Sequence, residues 1–229
     1  MFANVLNWSI EKPAREVDAF LARPAFSPEA EVAAAQVLAD VRARGDAAVI
    51  AAAKRFDGAS LKPGGLRVSA AELRDAAKAV PAGVKRAVKE AHGRVLRFAE
   101  AGIREPWHIR TPCGGYTGEF YSPMDRVGVY VPGGTAPLAS TAVMTVTLAK
   151  AAGVREIVAC TPCGKDKKVN PVLLYALRLA GATEVYRVGG IQAIGDVAGL
   201  LGTGEHVGQL RDPGAVVTRD RGICHRKLP

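Results

Sequence analysis

The segment Arg126-Val-Gly-Val-Tyr-Val-Pro-Gly-Gly-Thr-Ala-Pro137 runs from apolar residues through a glycine turn into a helix start, and its residue types suit an anionic ligand. Val127, Val129 and Val131 are β-branched and bounded by turn residues, which predicts a short buried strand. Gly133 and Gly134 leave room for backbone N–H groups to approach a phosphate. A helix opening near Pro137 would aim its positive end at the same point. The spacing departs from the G-x-G-x-x-G fingerprint of an ordinary dinucleotide site. On these residues alone, a phosphate or dinucleotide site and a plain strand-to-helix turn both stand.

A second glycine turn, Gly189-Gly-Ile-Gln192, follows another short apolar run. Tyr130 can lay its ring on a nucleotide while its hydroxyl hydrogen-bonds, and the Gln192 amide both donates and accepts. A strand-end aromatic and a helix-start polar residue describe the same pair without a ligand. Cys160-Thr-Pro-Cys163 has the spacing of half a zinc site or of a redox pair. No second pair at suitable spacing completes a zinc site, and Gly164 to Lys168 reads as loop rather than as the helix N-terminus that would activate a thiol. The two cysteines are therefore expected to close a buried strand. His206, Cys224 and His225 carry no mutual spacing that a metal would recognise, and they receive no role.

The elements that must position these residues follow from periodicity. Ser27 and Pro28 open a helix that runs to Asp57 with a break at Gly45-Asp46, and Ser69 caps a helix over Ala70 to Lys78. Val84, Val88, Ala91, Val95 and Phe98 mark one apolar stripe over a helix from Pro81 to Ile103, and the turn at Pro112 to Gly115 ends the helical half. Strands are then expected at Arg126–Val131, Glu156–Cys160 and Glu184–Val188, alternating with helices at Leu138–Ala152, Pro171–Ala180 and Ile191–Leu201. That order predicts parallel strands, with ligands at their carboxyl ends, where both glycine turns fall.

Apolar residues at 48% and charged residues at 23% are ordinary globular values, and 229 residues suffice for one large domain or two small ones. No run of 18 apolar residues suggests a membrane span, and the N-terminus lacks a basic secretory leader. A cytoplasmic protein is expected, with no membrane partner. The formal net charge of +9 invites a nucleic-acid reading, but Lys85, Arg86, Lys89 and Arg94 are interleaved with Glu90 on one helix. That pattern describes a solvated helix face, so no nucleic-acid partner is expected.

The wording around these sites is similar to the histidinol dehydrogenase family. The similarity rests on Tyr116 through Thr141, on Ala149-Lys-Ala-Ala-Gly-Val-Arg-Glu-Ile-Val158 and on Val188-Gly-Gly-Ile-Gln-Ala-Ile194, with Val41-Arg-Ala-Arg-Gly-Asp46 and Lys54-Arg-Phe-Asp-Gly58 upstream. It covers roughly residues 28–202. The resemblance implies zinc-requiring oxidation of L-histidinol, an amino alcohol, to L-histidine through the aldehyde, with NAD as acceptor. It implies that Tyr130 and Gln192 contact NAD beside the Gly133-Gly134 turn.

The expected architecture is α/β. Residues 1–122 form the helical N-terminal part of an incomplete first domain, 123–202 a Rossmann-like parallel βαβ NAD-binding domain, and 203–229 a divergent tail. The family's zinc ligands, its Glu-His catalytic pair and a Gly-Pro-Gly-Asn segment come later than residue 202, and Thr203 to Pro229 do not match them. No catalytic and no metal residue is therefore assigned to this chain. The expectation is an early end to the reading frame, with a polypeptide inactive and poorly soluble alone. The family forms a homodimer, much of whose interface lies in segments this chain lacks. The alternatives are a non-catalytic dinucleotide-binding module and a related dehydrogenase of another primary alcohol.

Overall fold

The computed structural model describes residues 9, 14–24, 27–133 and 137–200, with backbone alone for 196–200. Gly134 and the tail 203–229 lie outside the described residues. The chain divides into two compact units, Met1–Gln36 and Val37–Pro229. The first holds α1 (Arg15–Leu21) and the opening of α2 (Pro28–Arg44). Ser27 caps α2 as expected, its hydroxyl accepting from the Ala30 N–H at 3.2 Å.

The second unit continues through α3 (Asp46–Ala52), a π turn at Ala53–Asp57, a single 3-10 turn at Pro63–Gly65, α4 (Ala70–Ala79) and α5 (Ala82–Ala101). A hairpin of β1 (Trp107–Arg110) and β2 (Tyr116–Glu119) follows. The remainder alternates β3 (Arg126–Tyr130), α6 (Ala139–Ala151), β4 (Glu156–Cys160), α7 (Pro171–Ala180), β5 (Glu184–Tyr186) and α8 (Gly190–Leu200). The three later strands form one parallel sheet in the order β3-β4-β5, with Val127 beside Ile157 and Ala159 beside Val185. This is the partial α/β, Rossmann-like arrangement that the alternation predicts.

The hairpin was not expected. All eight of its residues are exposed, so neither strand carries the apolar-in, polar-out alternation that betrays a half-buried sheet. A second departure lies at the far edge of the sheet. The Val68 N–H donates to the Val185 carbonyl and the Arg187 N–H to the Leu66 carbonyl, both at 2.8 Å. Residues 66–68 thus cover the edge that β5 would otherwise present.

The core gathers β-branched and leucine side chains from both faces of the sheet. Ile157, Val158, Val146 and Leu177 are fully buried, each stabilising the fold by about 1.5–3 kcal/mol. Helix α5 packs against α6 and α7, and α4 against α7, so the helical stretch before the sheet shares this core. It is not wholly covered: Val88 and Ala99 are buried on α5 while Phe98 is 77% exposed.

Arg187 ties three elements at the end of β5. Its Nη1 donates to the Lys167 carbonyl at 2.7 Å, and its Nη2 donates to both Glu72 carboxylate oxygens at 2.8 and 2.7 Å. Glu72 also completes the capping box with Ser69 at the head of α4. Its carboxyl is held below the usual range, first by the Arg187 hydrogen bonds. One ion pair therefore fixes the entry of α4, the loop before α7 and the turn leaving β5.

Candidate functional site

The carboxyl ends of the three parallel strands bring their turns together. Pro162, just past β4, is the wedge between them. A Cβ built on Gly133 would lie 2.3 Å from Pro162 Cγ, and one built on Gly189 would lie 2.6 Å from Pro162 Cβ. Both glycines are required by this packing, whatever else the turns do. The expectation that the two glycine turns meet in one crevice holds in the structure.

Above this floor lies a cleft of ≈ 800 Å³, lined by Tyr130, Pro132, Gly133, Thr161, Asn170 and Asp57 among others. The volume falls within the range of small-molecule and cofactor sites. Tyr130 ends β3, and its hydroxyl accepts a hydrogen bond from the Gly190 N–H at 3.2 Å. Gly190 opens α8 at φ +63°, a conformation that disfavours any side chain, and a Cβ there would also approach Gln192 Oε1 to 2.8 Å. Tyr130 thus bridges the first and last turns of the site.

One wall is built for negative charge. Asn170 caps α7, its side-chain oxygen accepting from the Val172 N–H at 2.9 Å, and Pro171 occupies the first helical turn. The positive end of a ten-residue helix and Lys168 line the cleft here. Beside them, Thr161 is fully buried and its hydroxyl has no hydrogen-bond partner. Leaving a buried hydroxyl unsatisfied costs about 1–3 kcal/mol.

The two lining aspartates differ in engagement. Asp166 turns back on its own loop, where its carboxylate accepts from the Lys168 N–H at 3.1 Å. Among the described residues Asp57 makes no hydrogen bond or ion pair, and burial pushes its carboxyl up. Cys163 is buried, its Sγ donating to the Arg187 carbonyl at 3.9 Å, and burial raises its thiol. A neutral, enclosed thiol is not a nucleophile, in keeping with a packing role. Among the described residues no group of three or more His, Cys, Asp or Glu side chains is placed to hold a metal ion.

Of the residues named from sequence, Tyr130 and Gly133 line the cleft. Gln192 is 1% exposed and packs under Gly190, with its Nε2 unpartnered. Gly134 lies outside the described residues. Sequence reasoning passed over Thr161, Asn170 and Asp57. The first sits directly past the end of β4, so the rule that ligands bind at carboxyl strand ends was itself a signal for it. Asp57 stood in the Lys54 to Gly58 segment that carries the family resemblance, but nothing local pointed to the cleft, because only the tertiary fold brings it to the sheet.

Comparisons with known proteins bear on what such a site serves. The histidinol dehydrogenase family profile matches residues 23–218, more than half of the chain, and reaches past residue 202 into the tail. The histidinol dehydrogenase of Symbiobacterium thermophilum is 41% identical over 192 residues, which is 84% of this chain and 44% of that protein. The one from Heliobacterium mobile is 38% identical over 208 residues, 90% of this chain and 49% of that protein. In structure, the chain is similar to the crystal structure of histidinol dehydrogenase from Elizabethkingia anophelis, with a TM-score of 0.70 and 32% sequence identity. That match covers 80% of this chain and 42% of the other. The chain thus spans a little under half the length of these relatives. With a family profile that covers most of its residues and a shared fold, the chain belongs to the histidinol dehydrogenase family.

Proposed function

We propose that the cleft at the carboxyl ends of β3, β4 and β5 binds NAD, and that this chain supplies the cofactor side of a zinc-requiring oxidation of L-histidinol to L-histidine. Residues 123–202 form the NAD-binding part in this reading, and the helical stretch 1–122 belongs to a domain completed by further chain. The observation that carries it is the cleft itself, which gathers the head of α7, the tied pair Tyr130 and Gly190, and Thr161, whose enclosed hydroxyl has no partner among the described residues. Tyr130 offers a ring for stacking, Thr161 an unused donor and acceptor, and α7 with Lys168 a site for the pyrophosphate. Gln192 steadies the turn from beneath, and its free Nε2 becomes a donor if Gly190 moves.

Bound NAD supplies the hydride acceptor; the protein's part is to bind and orient it. Zinc finds no ligand cluster among the described residues, so no step is assigned to it. The reading carries with it the family's homodimer and a cytoplasmic setting. No described helix is long and apolar enough to cross a membrane.

Calorimetric titration of the 229-residue chain with NAD tests the proposal. Saturable binding of one NAD is expected, weakened by about 5–15-fold in Thr161→Val, the cost of about 1–1.5 kcal/mol for one lost hydrogen bond. No heat of binding, or an unchanged Kd in the variant, would overturn it.

A further inference from the structure

The cleft is divided by charge, and the division rests on different parts of the chain. Lys168 and the head of α7 occupy the wall that follows β4. Besides Asp166 on the Lys168 loop, negative charge comes from Asp57, which belongs to none of the three strands. The π turn Ala53–Asp57 presents it, and Gly58, left-handed at φ +66°, closes that turn by donating its N–H to the Ala53 carbonyl. Single π turns mark functional positions often enough to prompt the question of what this one holds. Its carboxylate Oδ2 lies 3.2 Å from where a Gly189 Cβ would stand, so the group is pressed against the turn after β5. It is half-buried, lines the cleft and has no hydrogen-bond or ion-pair partner among the described residues, whereas Asp166 is engaged with its own loop.

Among the donors a dinucleotide offers, a vicinal diol alone presents two hydroxyls matched to the two oxygens of a carboxylate. The same carboxylate repels a phosphate ester on that diol. We infer that Asp57 is a specificity-determining residue, which accepts hydrogen bonds from a ribose diol of the dinucleotide and excludes the 2′-phosphorylated form. The inference rests on the proposal that this cleft binds NAD, and it names the side chain that decides between NAD and NADP. Gly189 is part of the device, since any side chain there would displace the carboxylate. Burial raises the Asp57 carboxyl, as it must when a charge waits without its donors.

The test is a pair of titrations, NAD and NADP, against the 229-residue chain and its Asp57→Asn and Asp57→Glu variants at one fixed ionic strength. The wild-type chain should bind NADP at least about 100-fold more weakly than NAD, because like charges brought together cost several kcal/mol. Asp57→Asn should weaken NAD several-fold and bring the two affinities within about tenfold. Asp57→Glu, which keeps the charge, should still reject NADP. Removing a desolvated, unpaired carboxylate leaves the fold no less stable, so the Asn variant should melt at or above the wild-type temperature. NAD binding with an NADP-to-NAD ratio unchanged in Asp57→Asn would overturn the role of Asp57 alone. Binding of neither dinucleotide by the wild-type chain would overturn that role together with the NAD site.

Discussion

The 229-residue chain, purified and given L-histidinol, NAD and zinc, is expected to produce no NADH above background. Against a competent dehydrogenase that is a loss of at least about six orders of magnitude. The side chains of the cleft explain the expectation. Oxidation of an alcohol to a carboxylate needs a base for the hydroxyl proton and a second proton transfer to activate water, each contributing about 10²–10⁴-fold. The carboxyl and thiol groups lining the cleft are poor candidates for that work. Cys163 is enclosed and neutral, Asp166 is tied to its own loop, and Asp57 is an unpartnered carboxylate pressed against the turn after β5. What the cleft does offer is a ring, an orphaned hydroxyl and a helix head, which are binding groups. Turnover of histidinol by this chain, followed through NADH absorbance, would contradict the assignment of the cleft to binding alone.

Gly133→Ala is expected to destabilise the protein by about 1–3 kcal/mol and to abolish measurable NAD binding. Two effects compete. At an ordinary backbone conformation, exchanging glycine for alanine stabilises a fold by about 0.4–1 kcal/mol through the unfolded chain. Gly133 is not among the glycines with positive φ, so that gain is available to it. The new methyl, however, would stand 2.3 Å from Pro162 Cγ, and Pro162 Cβ is already 2.6 Å from where a Gly189 Cβ would lie. A proline ring cannot rotate out of the way, and the opposite turn blocks its retreat. Overpacking wins, and the shift falls on the cleft floor, since Gly133 and Pro162 both line it. Thermal unfolding should show a Tm lower by about 2 °C or more. An unchanged or raised Tm would show that Pro162 is not the wedge described here.

Much of the sheet was legible because its signals are local. Val127, Val129 and Val131 alternate between turn residues, and Ile157, Val158 and Ala159 form a short continuous apolar run, so both strands begin where expected. Helix α7 opens at Asn170-Pro171 and stops at Gly181, left-handed at φ +108°, each a signal contained within a few residues. The hairpin of Trp107 to Glu119 was illegible for the converse reason. Its strands bury nothing, and hydrogen bonds such as that from Trp107 Nε1 to Glu119 Oε2, at 3.1 Å, leave no trace in hydrophobic period.

The site divides along the same line. Tyr130 and Gly133 were readable from their places at the end of one strand. Asp57 reaches the cleft across 132 residues of sequence from Gly189, through a π turn that no periodicity announces. Gln192 shows the limit of motif reading in the other direction. It stands beside the turn in sequence, yet it is buried beneath Gly190, a depth that no local signal reports.

The central claim is that NAD occupies the cleft floored by Pro162, and amide hydrogen exchange with and without saturating NAD tests it most directly. The account predicts slowed exchange in three separated segments, Tyr130 to Gly133, Thr161 to Val172 and Gly189 to Ala193, with no change in the hairpin from Trp107 to Glu119. Protection absent from all three segments at saturating NAD, or protection confined to the hairpin, would contradict it.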